Sequence, residues 1–162
     1  MCRTKVPAWG IMLAAILTGF AGCVSSPTGD AETRAFGLVN QERTKAGLPP
    51  LAMDEAVRKV ARTHSEDMVK RHFASHDNPD GQSPSQRLDA AGIPYASAGE
   101  NIAWNDFPNP AGEALRAWMG SAEHSQNILR PEFTRTGMGV APDGAGGYYF
   151  TQVFIETNQP GR

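Results

Sequence analysis

Apolar side chains recur at helical spacing in one long segment near the middle of the chain. From Asp54 to about His72, an apolar stripe at steps of three and four residues is surrounded by charged side chains. This pattern predicts an amphipathic helix. His64 lies on the stripe, so it is expected to be a core histidine bonded to a backbone group or a hydroxyl. The stripe consists of Val57, Val60, Ala61, His64 and Met68.

Capping and helix-breaking residues outline the other predicted helices. A first helix is expected to begin near Thr28 or Asp30 and to run to Lys45, with Gly47 closing it. Residues 73–85 are dense in Asn, Asp, Pro, Gly and Ser, a composition typical of a loop. Two shorter helices are expected after this loop, at residues 86–91 and 111–120.

Alternating side chains near the C-terminus predict strands. Residues 136–141 and 148–156 are expected to pair as a hairpin through the turn 142–147, with both faces largely buried. A shorter strand is expected at residues 100–104. Helices first, helices between and a hairpin last indicate an α+β fold, in which helices cover a small antiparallel sheet.

The length and charge of the chain limit the number of domains and the kinds of partner that are expected. The 162 residues are enough for one domain with its own core. The formal net charge is -2 at pH 7, so no broad basic surface is expected. Nucleic acid is therefore not expected as a partner, because phosphate contacts require clustered Lys and Arg.

The first 22 residues have the pattern of an export signal. Arg3 and Lys5 supply positive charge, an apolar run spans residues 11–20, and small residues precede Cys23. The run is shorter than the roughly 20 apolar residues that a membrane-spanning helix needs. Residues 1–22 are therefore interpreted as a signal peptide, and the protein as exported.

Cys23 is the one cysteine expected in the mature chain, because Cys2 lies within the signal. Residues 20–23, FAGC, resemble the bacterial lipobox, which implies that Cys23 is lipidated and tethers the protein to a membrane of the cell envelope or to the outer surface. Residues 23–32 are then a tether and residues 158–162 a polar tail. The alternative is ordinary signal cleavage and release as a soluble secreted protein.

Two histidines and a glutamate on separate segments are the candidate functional side chains. They are His76 in FASH, Glu100 in AGENIA and His124 in WMGSAEHSQNIL. Imidazole exchanges protons near neutral pH and is the commonest metal ligand, and a carboxylate can orient it or act as a base. Together the three would suit a zinc site with an open position, although their spacing alone does not establish one.

Five motifs follow one another along the chain: LVNxxR at 38–43, FASH at 73–76, GENIA at 99–103, WxxSxxHxxNIL at 118–129 and FTQVF at 150–154. This ordered set resembles the CAP superfamily of cysteine-rich secretory, antigen 5 and pathogenesis-related proteins, in its bacterial SCP-like branch. The resemblance implies an α-β-α sandwich over residues 33–157 and secretion.

In that family, two histidines and two acidic residues line a central cleft that can bind a divalent metal, often zinc. By motif, the resemblance assigns His76, Glu100 and His124 to three of these places and makes them candidate metal ligands. Ser121 and Glu123 are candidates for the fourth place. Four other motif residues are interpreted as structural: the amides of Asn101, Asn127 and Gln152, and the core side chain of Trp118.

Three functions are consistent with these residues, and a binding role is the leading interpretation. In it, a surface-tethered domain takes a divalent metal, a small ligand, a lipid or a cell-envelope component in its cleft. The second interpretation is a metal-assisted hydrolase of peptide or envelope polymer, with Glu100 as the base. The third is a structural envelope protein whose histidines only cross-link the cleft through hydrogen bonds.

Overall fold

Five helices and four strands lie within residues 27–157, the part of the chain that the computed structural model describes. The helices are α1 (Pro27–Lys45), α2 (Glu55–Arg71), α3 (Pro84–Ala90), α4 (Pro110–Met119) and α5 (Ala122–Leu129). The strands are β1 (Ala52–Met53), β2 (Ser97–Asn105), β3 (Arg135–Pro142) and β4 (Tyr148–Glu156).

The strands form one sheet in the order β1-β3-β4-β2. Strand β4 pairs antiparallel with β3 on one side and with β2 on the other. Strand β1 adds a two-residue parallel pairing to the start of β3. The three long strands are therefore antiparallel, as predicted, while the sheet as a whole is mixed because of β1.

Helices cover both faces of this sheet. Phe150 and Phe154 of β4 pack into a cluster with side chains of α1, α4 and α5. Val153 and Ile155, on the opposite face of the same strand, pack with side chains of α2 and α3. Because alternate residues of a strand point to opposite faces, β4 is buried on both sides, and the α-β-α sandwich is confirmed.

Helix α2 follows its predicted pattern closely. Asp54 caps its N-terminus by accepting hydrogen bonds from the backbone N–H groups of Ala56 and Val57. All five residues of the predicted stripe are buried. The helix ends at His72, which adopts a left-handed conformation with φ of 56°, and the expected loop follows.

Two glycines of β3 let helix α2 lie directly on the strand. A Cβ atom built on Gly137 would be 2.2 Å from the backbone nitrogen of Arg58, and one on Gly139 would be 2.2 Å from that of Arg62. Any other residue at either position would collide with helix backbone, which cannot rotate away as a side chain can. A glycine inside a strand indicates such a close approach.

Glu32 joins α1 to α2 and β3 through a buried charge. Its carboxylate is fully buried and accepts hydrogen bonds from the guanidinium groups of Arg58 and Arg62 and from the backbone N–H of Val140. Burial by itself would raise the pKa of Glu32, but hydrogen bonds from Arg62 and Arg58 outweigh it and lower that pKa. The carboxylate is therefore ionised and paired.

The LVNxxR motif holds α1 against the opposite end of the sheet. The Asn40 side chain both donates to and accepts from the backbone of Leu51. The buried Arg43 guanidinium donates to the carbonyl oxygens of Pro49, Ile128, Arg130 and Phe133. These bonds connect α1 to the segments before β1 and after α5, so the motif residues have structural roles.

Some predicted boundaries differ from those in the structure, most of all at the start of the domain. Residues 27–32, assigned to the tether, form the first turns of α1, and they are held there by the Glu32 contacts. Strand β1 (Ala52–Met53) has no counterpart among the predicted elements, because two residues between a proline pair and a helix cap carry no strand periodicity. The predicted signal 1–22, Cys23 and the tail 158–162 lie outside the described residues.

Between Pro27 and Thr157, no helix combines the length and the apolar composition required to cross a bilayer.

Replacing Gly139 with alanine should destabilise the fold by about 2 to 3 kcal/mol, because the added methyl group must push α2 away from β3. Gly37→Ala is the matched control, since a Cβ atom at Gly37 in α1 has no neighbour within 4 Å; it should be neutral or stabilising by up to about 1 kcal/mol. Urea unfolding of both variants measures the difference. Equal stabilities would contradict the tight α2–β3 contact.

Candidate functional site

Glu100 lies at the centre of the candidate site. It occupies the middle of β2 on the sheet face that α2 and α3 cover, and its side chain is buried. One oxygen, Oε1, is 2.9 Å from Nδ1 of His76, and the other, Oε2, accepts a hydrogen bond from Arg87 at 2.7 Å. Both oxygens of the carboxylate are therefore engaged by neighbouring side chains.

His76 is presented by the loop that follows α2. The loop is fixed by Arg87, whose Nη1 donates to the carbonyl oxygens of His76 and Gln82, both at 2.9 Å. The His76 side chain remains 46% exposed. Its hydrogen bond to Glu100 raises the pKa of His76, against a smaller opposing effect of burial. The imidazole is thus oriented at one nitrogen and open to solvent.

Arg87 is the member of the site that sequence reasoning missed. It lies on α3, a short helix started by a capping box between Ser83 and Gln86, and it is buried at 8% exposure. Its Nε atom is also buried and has no hydrogen-bond partner within the described residues. No motif marks this residue, because its partners are loop carbonyl groups and a carboxylate on a distant strand.

His64 forms the inner wall of the site. It is a buried core histidine whose Nε2 donates to the carbonyl oxygen of Ser75 at 3.0 Å, so the predicted backbone bond is confirmed. The same nitrogen lies 4.0 Å from Oε1 of Glu100, a proximity that was not predicted. Burial lowers the pKa of His64, outweighing the attraction of the Glu100 charge, and the ring is neutral near pH 7.

His124 approaches the site from the other side of β2. It lies in the first turns of α5, and its backbone carbonyl accepts a hydrogen bond from Asn101 at 3.0 Å. Burial lowers the pKa of its imidazole, and the charge of His76 lowers it further. The two histidines therefore share an electrostatic environment, although it is His76 that bonds to Glu100.

Ser121 and Glu123, the candidates for a fourth member, lie at the start of the same helix. Ser121 is at the N-cap position of α5 but makes no side-chain capping bond, and Glu123 is exposed in the first turn. Glu123 acts on His124 only through its charge, which raises the histidine pKa slightly against the larger effect of burial.

Several motif residues close the outer edge of β2. Asn127 donates to the carbonyl oxygen of Glu100 at 3.2 Å, and the Trp118 indole donates to that of Ile102 at 2.9 Å. Asn127 also donates to the side-chain oxygen of Asn101. The interpretation of Asn101, Asn127 and Trp118 as structural is confirmed. Gln152, for which the same was predicted, is buried and donates to the Thr136 hydroxyl, while its amide oxygen has no partner among the described residues.

A shallow cleft opens beside the Glu100–His76 pair. Its volume is about 340 Å³. The residues that line it are His76, Pro84, Ser85, Ala98, Gly99 and Glu100.

The side chains of the described residues do not form a three-ligand site for a divalent metal ion. In the described part of the chain, no group of three or more His, Cys, Asp or Glu side chains is placed to hold one. Arg87 and His76 each engage one oxygen of Glu100, and these hydrogen bonds compete with coordination of a metal. A guanidinium group 2.7 Å from the carboxylate also repels a second cation. Zinc binding by His76, Glu100 and His124 stays a prediction from the sequence.

If Arg87 excludes a metal, Arg87→Met should raise the affinity for Zn²⁺ relative to the wild type, because it frees Oε2 of Glu100 and removes the repelling charge. Isothermal titration with zinc at pH 7 measures this, with circular dichroism to verify that both proteins are folded. Adding His76→Asn to the variant should abolish the gain. A wild type that binds zinc as tightly as the variant would contradict the role given to Arg87.

Comparison with known proteins shows the family of this chain. A family model described as the cysteine-rich secretory protein family, CAP, matches residues 36–154. An uncharacterized protein of Bacillus subtilis, YkwD, is 40% identical over 124 residues, which are 76% of this chain and 46% of that protein. The chain thus spans less than half the length of this relative.

Solved structures agree with the family match. An extracellular protein of Bacillus anthracis that contains an SCP domain is 33% identical, with a TM-score of 0.73, over 80% of this chain and 41% of that one. An outer surface protein of Borrelia burgdorferi has the same TM-score at 17% identity, over 80% of this chain and 94% of that one; at this identity the likeness concerns the fold. The chain therefore belongs to the CAP family, in its bacterial extracellular type.

Proposed function

We propose that this protein is an exported binding protein, anchored to a membrane through lipid on Cys23, whose cleft takes an anionic group of a cell-envelope component. The observation that carries the proposal is the His76–Glu100–Arg87 arrangement. In it, the half-exposed His76 imidazole has a raised pKa and faces solvent. The charge of the neighbouring Glu100 carboxylate is balanced by Arg87.

The charges of the three side chains favour an anion. The Arg87 guanidinium balances the Glu100 carboxylate at 2.7 Å, so protonation of His76 leaves the group with a net charge of about +1. Glu100 raises the pKa of His76 and thereby increases the fraction that is protonated near neutral pH. A carboxylate or phosphate is the group that complements such a site.

His76 has a free nitrogen with which to bind the ligand. Its Nδ1 is committed to Glu100, whereas Nε2 makes no hydrogen bond to any residue between Pro27 and Thr157. When the ring is protonated, Nε2 donates, and a charge-assisted hydrogen bond of this kind is worth about 1.5 to 3 kcal/mol. The imidazole is held in place before the ligand arrives, which lowers the entropic cost of binding.

A hydrolase is the second candidate, and the Glu100–His76 hydrogen bond is the observation that favours it. A carboxylate that fixes the imidazole at Nδ1 leaves Nε2 free to act as a general base. Such an enzyme would need no resident metal, unlike the metal-assisted mechanism expected from the sequence. Release of soluble fragments from envelope polymer, lost in His76→Asn without loss of folding, would support this activity.

Binding of a muramyl tripeptide, a soluble envelope fragment that carries carboxylates, should weaken as pH rises. The raised pKa of His76 lies above its ordinary value of about 6.5, so the ring is charged below that pH and loses its proton as pH passes through the raised value. Affinity measured by calorimetry should therefore be higher at pH 5.5 than at pH 8.

His76→Asn should reduce the affinity at pH 5.5 by about tenfold, the equivalent of 1.4 kcal/mol. The matched control is His72→Asn, which changes an exposed histidine four residues away at a left-handed position that asparagine tolerates. Equal affinities in wild type and His76→Asn would contradict the proposal. Loss of stability without any measurable binding would favour the structural role instead.

The anchor has its own test. Cys23→Ser should move the protein from the membrane fraction to the soluble exported fraction, because the substitution removes the only thiol expected at the mature N-terminus. Cys2→Ser is the matched control and should leave the protein in the membrane fraction, since Cys2 lies in the predicted signal. Membrane retention of Cys23→Ser would show that lipid on Cys23 is not the anchor.

A further inference from the structure

Two large aromatic side chains are exposed at one end of the sheet. Trp104, near the end of β2, is 49% exposed, and Phe107, in the loop that follows, is 51% exposed. The strand register places Trp104 opposite Tyr149 of β4, next to the turn 142–147. We call this end, formed by residues 104–109 and 142–149, the aromatic end.

Helix α1 begins at the same end. The Glu32 carboxylate accepts a hydrogen bond from the N–H of Val140 at 3.2 Å, and Val140 pairs with Phe150 only two residues from the turn. Eleven residues later along α1, Arg43 bonds to Phe133, which lies before β3 at the opposite end. The N-terminus of the helix therefore points toward the aromatic end.

The chain length between this point and Cys23 is short. Pro27 precedes Glu32 by five residues, or roughly 7.5 Å of helix. Cys23 precedes Pro27 by four residues, which span at most about 14 Å when extended. A lipid on Cys23 would therefore keep the start of α1 within about 14 Å of the bilayer. Because α1 starts at the aromatic end, this end would lie close to the bilayer too.

We propose that the aromatic end rests on the membrane surface, with the side chains of Trp104 and Phe107 inserted among the lipid headgroups. This inference rests on the proposed lipid anchor at Cys23, and it adds a second, non-covalent contact that orients the domain. Tryptophan suits this position because its ring is apolar while its N–H remains polar.

Attraction to anionic lipid has no part in this contact. Residues 104–109 and 142–149 contain no Lys, Arg or His, and their two acidic residues are Asp106 and Asp143. Asp143 is engaged by the Trp104 indole at 3.1 Å and by the backbone N–H groups of Ala145 and Gly147. The contact therefore depends on aromatic side chains and is expected on zwitterionic lipid at any salt concentration.

The orientation also places the binding cleft. Glu100 and Trp104 are four residues apart on the same face of β2, which corresponds to about 13 Å along the strand. With Trp104 at the headgroups, the cleft beside His76 opens just above the membrane surface. It would meet envelope components that lie against the bilayer before those farther out.

Tryptophan quenching by brominated lipid tests the contact. The mature chain carries Trp104 and Trp118, since Trp9 lies in the predicted signal, and Trp118 is buried at 1% exposure. The processed full-length protein is reconstituted into phosphatidylcholine vesicles with brominated acyl chains. We expect quenching of the Trp104 emission, and loss of that quenching in Trp104→Phe.

Moving the fluorophore provides the control. Tyr95 lies just before β2, at the end of the sheet opposite to Trp104. In Trp104→Phe/Tyr95→Trp, the introduced tryptophan should be quenched several-fold less than Trp104 in the wild type. Equal quenching at both positions, or none at Trp104, would overturn the proposed orientation.

The anchor and the orientation fail in different ways. Mass spectrometry of the N-terminal peptide shows whether Cys23 carries lipid, independently of the fluorescence. An unmodified Cys23 would contradict the anchor, while quenching of Trp104 on addition of vesicles would still decide the aromatic contact. If quenching is absent and Trp104→Ser/Phe107→Ser releases a bound protein from intact cells, the patch serves a protein partner and the membrane proposal is wrong.

Discussion

The close contact between α2 and β3 is the constraint on which the rest of the structure depends. Gly137 and Gly139 bring the helix backbone to within van der Waals distance of the strand, which sets the height of α2 above the sheet. At that height Arg58 and Arg62 reach Glu32 of α1. The same placement brings His64, in the middle of the helix, to within 4.0 Å of the Glu100 carboxylate.

Two histidines beside the same buried carboxylate have pKa values that are shifted in opposite directions. His76 is half exposed and directly hydrogen-bonded to Glu100, so its pKa is raised. His64 is buried and 4.0 Å from the same oxygen, so desolvation dominates and its pKa is lowered. Arg87 supplies the compensating charge from within the chain. The cleft therefore combines one titrating imidazole with a carboxylate whose charge is balanced by Arg87.

The sequence was informative where a residue's role follows from local pattern. The stripe from Val57 to Met68 predicted α2, and alternation in residues 148–156 predicted β4, because burial of one helix face or of a strand leaves a periodic trace. The expectation that His76 and Glu100 line one cleft followed from the family resemblance and not from spacing. Strand β1 was not predictable, since a two-residue pairing has no period.

The remaining part of the site depends on contacts that span the fold. Arg87 bonds to carbonyl groups of the preceding loop and to a side chain on β2. These contacts leave no pattern in the residues next to Arg87 in the sequence, so they could not be predicted from it. His64 was correctly interpreted as a core histidine, but its distance to Glu100 is set by how α2 lies on the sheet. The glycines at 137 and 139 were a readable sign of that packing, because a strand interior disfavours glycine.

The hydrogen bonds along the two edges of the sheet affect how readily one molecule can associate with another through its strands. On the β3 side, β1 pairs with residues 135–136 and Glu32 takes the N–H of Val140. On the β2 side, the side chains of Asn127 and Trp118 donate hydrogen bonds to the carbonyl oxygens of Glu100 and Ile102, respectively. Exposed strand edges recruit strands from other molecules and seed aggregation. These edge groups are already hydrogen-bonded within the domain, so they are not available to pair with a strand of a neighbouring molecule.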